Sequence, residues 1–334
     1  MSSLRRKAAL TAALLISGLA PLGVTSSADA TPPTQYKTST VTDGGTRTAP
    51  TGDDTSPVKV FQIRFTAEEG ERRYVTSQVL AQQGDTPDPL LMASVSITCA
   101  GTGSQSVSAT QNTQRNQTTT LTPRFVFVAE QAGEVSCTLY VHGGRPDPAA
   151  SSPSSANTWS VDTGSYLAVS SPMPWWTRTF DNSDLTSRVL KNPGDTWTTI
   201  NKTFTIGADV TSFDVVSDHK VTVCSSKGGS QDGTTGGNDL CVGDLVVPGG
   251  SSVVGLVVKI RQRDGSSWCG DAQTLVDRTT TVTRNLHHVM IPTKASVDVD
   301  PACSPSFTLT TQLRLVSGTA TMVHAPNEKT MITS

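Results

Sequence analysis

Residues 58–67, "VKVFQIRFTA", place Phe61, Ile63 and Phe65 on one side of the chain and Gln62, Arg64 and Thr66 on the other. An extended backbone turns successive side chains to opposite faces, so a period of two marks a strand with one face in a core and one in water. The same alternation continues in "RYVTSQVLAQ" (73–82), "LLMASVSITC" (90–99), "TLTPRFVFVAE" (120–130), "EVSCTLYVH" (134–142) and "TWSVDTGSYLAVS" (158–170). Turn-forming stretches such as "QQGDTPDP" and "HGGRPDPAASSPSSAN" separate these runs. No segment of comparable length carries a helical apolar stripe. Short strands punctuated in this way predict two antiparallel sheets packed face to face.

The second half repeats the pattern. "TWTTINKTFTIG", "TSFDVVSDHKVTVC", "SVVGLVVKIRQ", "TTTVTRNLHHVMIP", "FTLTTQLRLVSG" and "TATMVHA" read as strands, with Phe307, Leu309, Leu313 and Leu315 on one apolar face. The fold class expected is therefore all-β, with two tandem antiparallel β-sandwich domains of typical domain size at 58–170 and 178–334. Residues 171–177, "SPMPWWT", form the linker, because Pro172 and Pro174 supply no backbone donor to a central strand.

Ahead of these blocks, Arg5, Arg6 and Lys7 precede the apolar run "AALTAALLISGLA" and the small residues Ala28 and Ala30, the layout of a signal peptide over 1–30. The apolar run is shorter than a membrane span. Its twin arginine lacks the flanking residues of the twin-arginine route. Residues 31–57 are rich in Thr, Pro, Gly and Asp and predict a flexible lead-in. The expected product is secreted and carries no membrane anchor. The formal net charge is −2, and loss of the leader makes it about −4, which excludes the basic face that nucleic acid requires.

All six cysteines, at 99, 137, 224, 241, 269 and 303, lie beyond the leader. An even number in an exported chain reads as three disulfides, and proximity within a block favours Cys99–Cys137, Cys224–Cys241 and Cys269–Cys303. Each closes a loop of moderate size and contributes roughly 3–4 kcal/mol in the chain-entropy account. A zinc site fits poorly, because the chain has no C-x-x-C pair. Two cysteines on different strands of the first block resemble the immunoglobulin-type sandwich, and that resemblance implies an inter-sheet bridge from Cys99 to Cys137. No Trp lies between them, as one does in antibody-like domains.

Only 5% of the residues are aromatic, so the adjacent Trp175 and Trp176 stand out. On an extended chain their rings leave on opposite sides, which predicts one buried and one exposed indole rather than a flat two-ring platform. The pair reads either as a plug between the sandwiches or as a ligand-binding surface that Trp197 and Trp268 would extend.

The sharpest chemical motif is "VDTGSYLAV" (161–169), which resembles the active-site turn of aspartic peptidases and implies Asp162 as the water-activating carboxylate. That chemistry needs two carboxylates sharing a proton. No second Asp-Thr-Gly or Asp-Ser-Gly occurs, and the apolar Gly-Arg-Asn/Asp segment of the dimeric retroviral members is absent. A strand running into a turn gives the same four residues. There is no G-x-S-x-G and no phosphate loop. Asp232, Asn238 and Asp239, and separately Asp298 and Asp300, offer oxygen ligands for calcium, but their spacing is not that of the twelve-residue calcium loop. His219, His288 and His324 fall in phase with apolar residues and read as core histidines, so neither a metal nor another cofactor is expected.

The sequence thus points to a secreted non-catalytic binding protein whose ligand is an extracellular polysaccharide or a protein partner. A secreted hydrolase using Asp162 and a surface-assembly component are the alternatives. Peptide mapping without reduction is expected to recover the three named cystine peptides, and any free thiol contradicts the scheme.

Overall fold

The computed structural model describes residues 37–40, 47–50, 57–83, 90–114, 116–144, 158–182, 186–224, 240–241, 243–245, 247–283, 286, 288–325 and 328–334. It is all-β, with antiparallel strands in four sheets that pair into two sandwiches.

The first sandwich contains β1 (Lys37–Thr40), β2 (Arg47–Pro50), β3 (Val58–Ala67), β4 (Arg72–Gln83), β5 (Leu90–Gly101), β6 (Gly103–Gln114), β7 (Thr118–Leu121), β8 (Arg124–Val128), β9 (Gly133–Gly144), β10 (Thr158–Val161) and β11 (Tyr166–Val169). One sheet has the order β3-β9-β5-β6. The other is built around β4, which pairs with β11 and β10 along one edge and with β8 and β7 along the other. Phe61 and Ile63 of β3, Val135, Cys137, Leu139 and Val141 of β9 and Val75 and Val79 of β4 meet in one core, as period-two alternation requires. A bulge between Lys59 and Phe61 adds Val60 to the buried set. At the β5–β6 hairpin Gly101 has φ 132°, and a Cβ there would lie 2.1 Å from the Glu134 carbonyl oxygen.

Two expectations change here. The lead-in contains β1 and β2, which pair with β11 and β10; a polar sequence is compatible with such pairing because main-chain bonds to a free strand edge need no apolar face. The signal peptide at 1–30 lies outside the described residues. The Cys99–Cys137 disulfide does not cross between sheets. The two residues stand directly opposite on β5 and β9, within one sheet, with Cα atoms 3.9 Å apart. Phase with inward residues places each sulfur in the core but does not say from which sheet. The other two bridges are Cys224–Cys241 and Cys269–Cys303.

The second sandwich contains β12 (Arg178–Asp181), β13 (Arg188–Leu190), β14 (Thr196–Thr205), β15 (Ser212–Val223), β16 (Ser252–Asp264), β17 (Ser267–Trp268), β18 (Gln273–Val282), β19 (His288–Asp298), β20 (Ser306–Gly318), β21 (Thr321–Val323) and β22 (Lys329–Thr333). One sheet runs β12-β22-β15-β21-β13 with β19 also on β15, and the other runs β14-β20-β16-β17 with β18 on β16. Phe204, Phe213 and Phe307 pack at ring separations of 5.0–5.8 Å between them.

The sandwiches meet through polar groups more than apolar ones. Arg124 of β8 donates from Nε to Asp218 Oδ2 (2.9 Å) and from Nη2 to Asp218 Oδ1 (2.7 Å), forming a bidentate pair with little solvent exposure. The Asn112 and Gln111 side chains of β6 accept from the backbone N–H groups of His288 and Met290, and Thr179 accepts from Val126 N–H. Met290 adds an apolar contact with the first core.

Removing one partner of a buried pair strands the other charge. Arg124→Ala or Asp218→Ala is therefore expected to lower stability by about 3–5 kcal/mol, whereas Arg124→Met with Asp218→Leu recovers most of it. Urea unfolding midpoints of the full chain check this, and a single variant that unfolds with the wild type contradicts it.

Candidate functional site

The connection from β11 to β12 is tied down at every step. Tyr74 N–H donates to Ser170 Oγ, Met173 N–H to the Arg72 carbonyl, and both the N–H and hydroxyl of Thr177 to the Pro174 carbonyl. Trp175 and Trp176 are the central residues of that 174–177 turn, so their rings diverge. Trp176 is 3% exposed and belongs to the second core, its ring edge-on to Phe213 at 6.3 Å. Trp175 is 60% exposed. Neither indole plugs a gap between the two cores. Trp197 is buried in the second core, and Trp268, 43% exposed, is flanked by Arg261 and Arg263 at 4.7 Å from its ring, so no row of indoles forms.

Two arginines bracket the turn. Arg72 accepts from Met173 N–H through its carbonyl and donates from Nη1 to the Thr177 carbonyl at 2.8 Å. Arg178 donates from Nε to the Trp176 carbonyl at 3.0 Å. Both guanidiniums line a cleft of about 410 Å³ at the junction of the sandwiches, with Gln105, Ser106, Phe125, Thr179, Asp181 and Lys329 among its other walls. Burial pushes both guanidinium pKa values down, and the Arg72 charge adds to the effect on Arg178. This meeting of two cations at the backbone of the tryptophan turn left no local pattern in the sequence, since residues 72 and 178 are far apart along the chain.

The other candidate residues stand apart. Asp162 lies in the turn between β10 and β11, where its carboxylate accepts from Thr163 N–H at 2.7 Å and its N–H donates to the Leu80 carbonyl. These are the bonds of a strand-to-turn junction. Asp232, Asn238 and Asp239 lie outside the described residues. Asp300 accepts from Ala302 N–H beside the Cys269–Cys303 bridge, whose sulfurs are bonded to each other and are therefore not available as thiolate ligands.

The histidines gather around β15 on both of its faces. Facing the first sandwich, the Thr222 hydroxyl lies 2.6 Å from both His288 Nδ1 and His324 Nε2, so one imidazole accepts its proton and the other donates to its oxygen. On the opposite face, inside the second core, His219 pairs with Glu328, both side chains fully buried. Ser217, Thr330 and Thr311 continue that polar seam. Glu328 sits in the turn-like stretch "NEKT", where burial is not expected from the sequence. Its carboxyl is pushed up by burial, against which His219 pulls it down.

No family model matches the chain, and no curated protein matches it. Among solved structures it is similar to the tandem CBM22 domains of Xyn10C from Paenibacillus barcinonensis, at 8% identity and TM-score 0.24 over 90% of this chain and 94% of that one. It is also similar to the infectious bursal disease virus Gt strain structure (8% identity, TM-score 0.28, covering 85% and 75%) and to the STIV MCP (9%, 0.25, 90% and 96%). Likenesses at this level carry no argument about function, so the reading below rests on the geometry.

The histidine cluster makes a pH test. Burial first, and the Lys220 charge second, hold the His324 pKa well below its ordinary value, so the folded ring is neutral. The unfolded ring gains its proton near pH 6.5. The contribution of a neutral His324 is therefore complete above about pH 6.5 and is lost as pH falls below it. Between pH 7.5 and 5 the wild type is expected to lose more melting temperature than His324→Gln; equal losses contradict the assignment.

Proposed function

We propose that the chain is a secreted, non-catalytic protein that binds extracellular polysaccharide, with Trp175 as the surface on which a sugar ring stacks. The exposed indole carries this reading. An indole presents a large, flat apolar face to the C–H face of a pyranose, and a ring whose backbone is already held needs little further ordering on binding. Its turn is fixed by Trp176 in the second core and by Arg72 and Arg178 on either side. In this reading the segments 58–170 and 178–334 are two domains joined at 171–177, and the ligand lies along their junction. The three disulfides fit an oxidising compartment.

Sedimentation with insoluble cell-wall glycan, chitin and cellulose tests the proposal. The wild type is expected to pellet with at least one of them, and Trp175→Ala to remain in solution with an unchanged melting temperature. Trp176→Ala instead loses about 3–5 kcal/mol of stability, the usual loss for a buried Trp. Failure of the wild type to pellet turns the search to an extracellular protein partner.

A further inference from the structure

The cleft lined by Arg72 and Arg178, which bond the Thr177 and Trp176 carbonyls of the tryptophan turn, brings together charges that no described carboxylate neutralises. Arg72 and Arg178 each give a bond to a backbone carbonyl, but among the described residues no carboxylate pairs with either. Arg72 Nε is buried and has no hydrogen-bond partner. Of the other charged groups at the wall, Lys329 is paired with Asp181 at 2.8 Å, so that pair cancels and the arginines remain. Two like charges brought together in a partly desolvated cleft are unfavourable alone and become favourable once an anion lies between them. The chain as a whole is mildly acidic, so this local excess of positive charge runs against its average.

We propose that this cleft is an oxyanion site that takes the carboxylate or sulfate group of an acidic saccharide while the same sugar chain stacks on Trp175. The guanidinium fork fits a planar carboxylate or a sulfate with two parallel N–H···O bonds. The volume, about 410 Å³, lies within the roughly 300–1,000 Å³ of small-ligand sites. Thr179 and Ser106 stand among the residues that line it. The saccharide half of the proposal rests on the polysaccharide reading above, and the oxyanion half on the arginines alone.

Calorimetric titration of the full chain with oligogalacturonate, its carboxyl-reduced neutral counterpart and sodium sulfate separates the two halves. Oligogalacturonate is expected to bind saturably, at least tenfold more tightly than the neutral oligomer, and to weaken as salt rises. Arg178→Gln is expected to weaken the acidic oligomer about tenfold, and more than it weakens the neutral one. Ser106→Tyr, which fills the cleft and keeps both arginines, should do the same without a change in melting temperature. Trp175→Ala should weaken both oligomers. Equal binding of acidic and neutral oligomers, or wild-type binding of the acid by both cleft variants, overturns the proposal. Arginine-dependent binding of sulfate without oligogalacturonate supports the oxyanion site and overturns its saccharide source. Arginine-dependent binding of the acid that Trp175→Ala leaves untouched supports the cleft and removes the stacking reading.

Discussion

The contact between Arg124 and Asp218 governs how the two sandwiches are held. The buried residues of each core come from its own pair of sheets, so the junction is made by residues on the outer faces, where, Met290 apart, the bonds described above are polar. A charge placed there loses water, which raises the cost of any arrangement in which the partner is absent or misplaced. The bidentate geometry then favours one register of β8 against β15, and the bonds from β6 to the backbone of β19 follow from that register. The cleft depends on it as well, because Arg72 comes from the first sandwich and Arg178 and Lys329 from the second.

The second sandwich pays for its polar seam in a different way. Ser217 and His219 occupy positions on β15 that alternation assigns to the core, and Thr311 interrupts the apolar face of β20 between Leu309 and Leu313. Each finds a partner on a neighbouring strand, so the seam joins β15, β20 and the chain around β22 by bonds that only one pairing satisfies. Buried polar groups of this kind add little net stability compared with apolar packing, but an alternative register would leave them unpaired.

How much was legible in the sequence follows from which interactions are local. Alternation in Phe61 and Ile63, in Cys137, Leu139 and Val141, and in Phe307, Leu309, Leu313 and Leu315 depends only on the direction of successive side chains, and it located strands and core faces correctly. The divergence of Trp175 and Trp176 follows from the same geometry, although the backbone there is a turn. Pairing between strands is not local. Cys99 and Cys137 carry the same inward phase whether they lie on one sheet or two, and the bonding of β1 and β2 comes from edges that belong to β11 and β10. The salt bridge between residues 124 and 218, the burial of Glu328 and the meeting of Arg72 with Arg178 all join distant parts of the chain, where composition and spacing carry no signal.

The placement of the Cys99–Cys137 bridge has a mechanical consequence. It links neighbouring strands side by side, so a pull applied to the two ends of the chain passes from residue 99 to residue 137 through the sulfurs and leaves the segment between them unloaded. That segment spans a sequence separation of 38, about 130 Å of extended chain that tension cannot draw out. It includes β6, β7 and β8, and with them Arg124. If the protein holds a surface at one end and is dragged at the other, Arg124 sits in a covalently shielded loop, and the Cys269–Cys303 bridge shields β18 and β19 of the second sandwich in the same way, so the load falls on strands outside those loops.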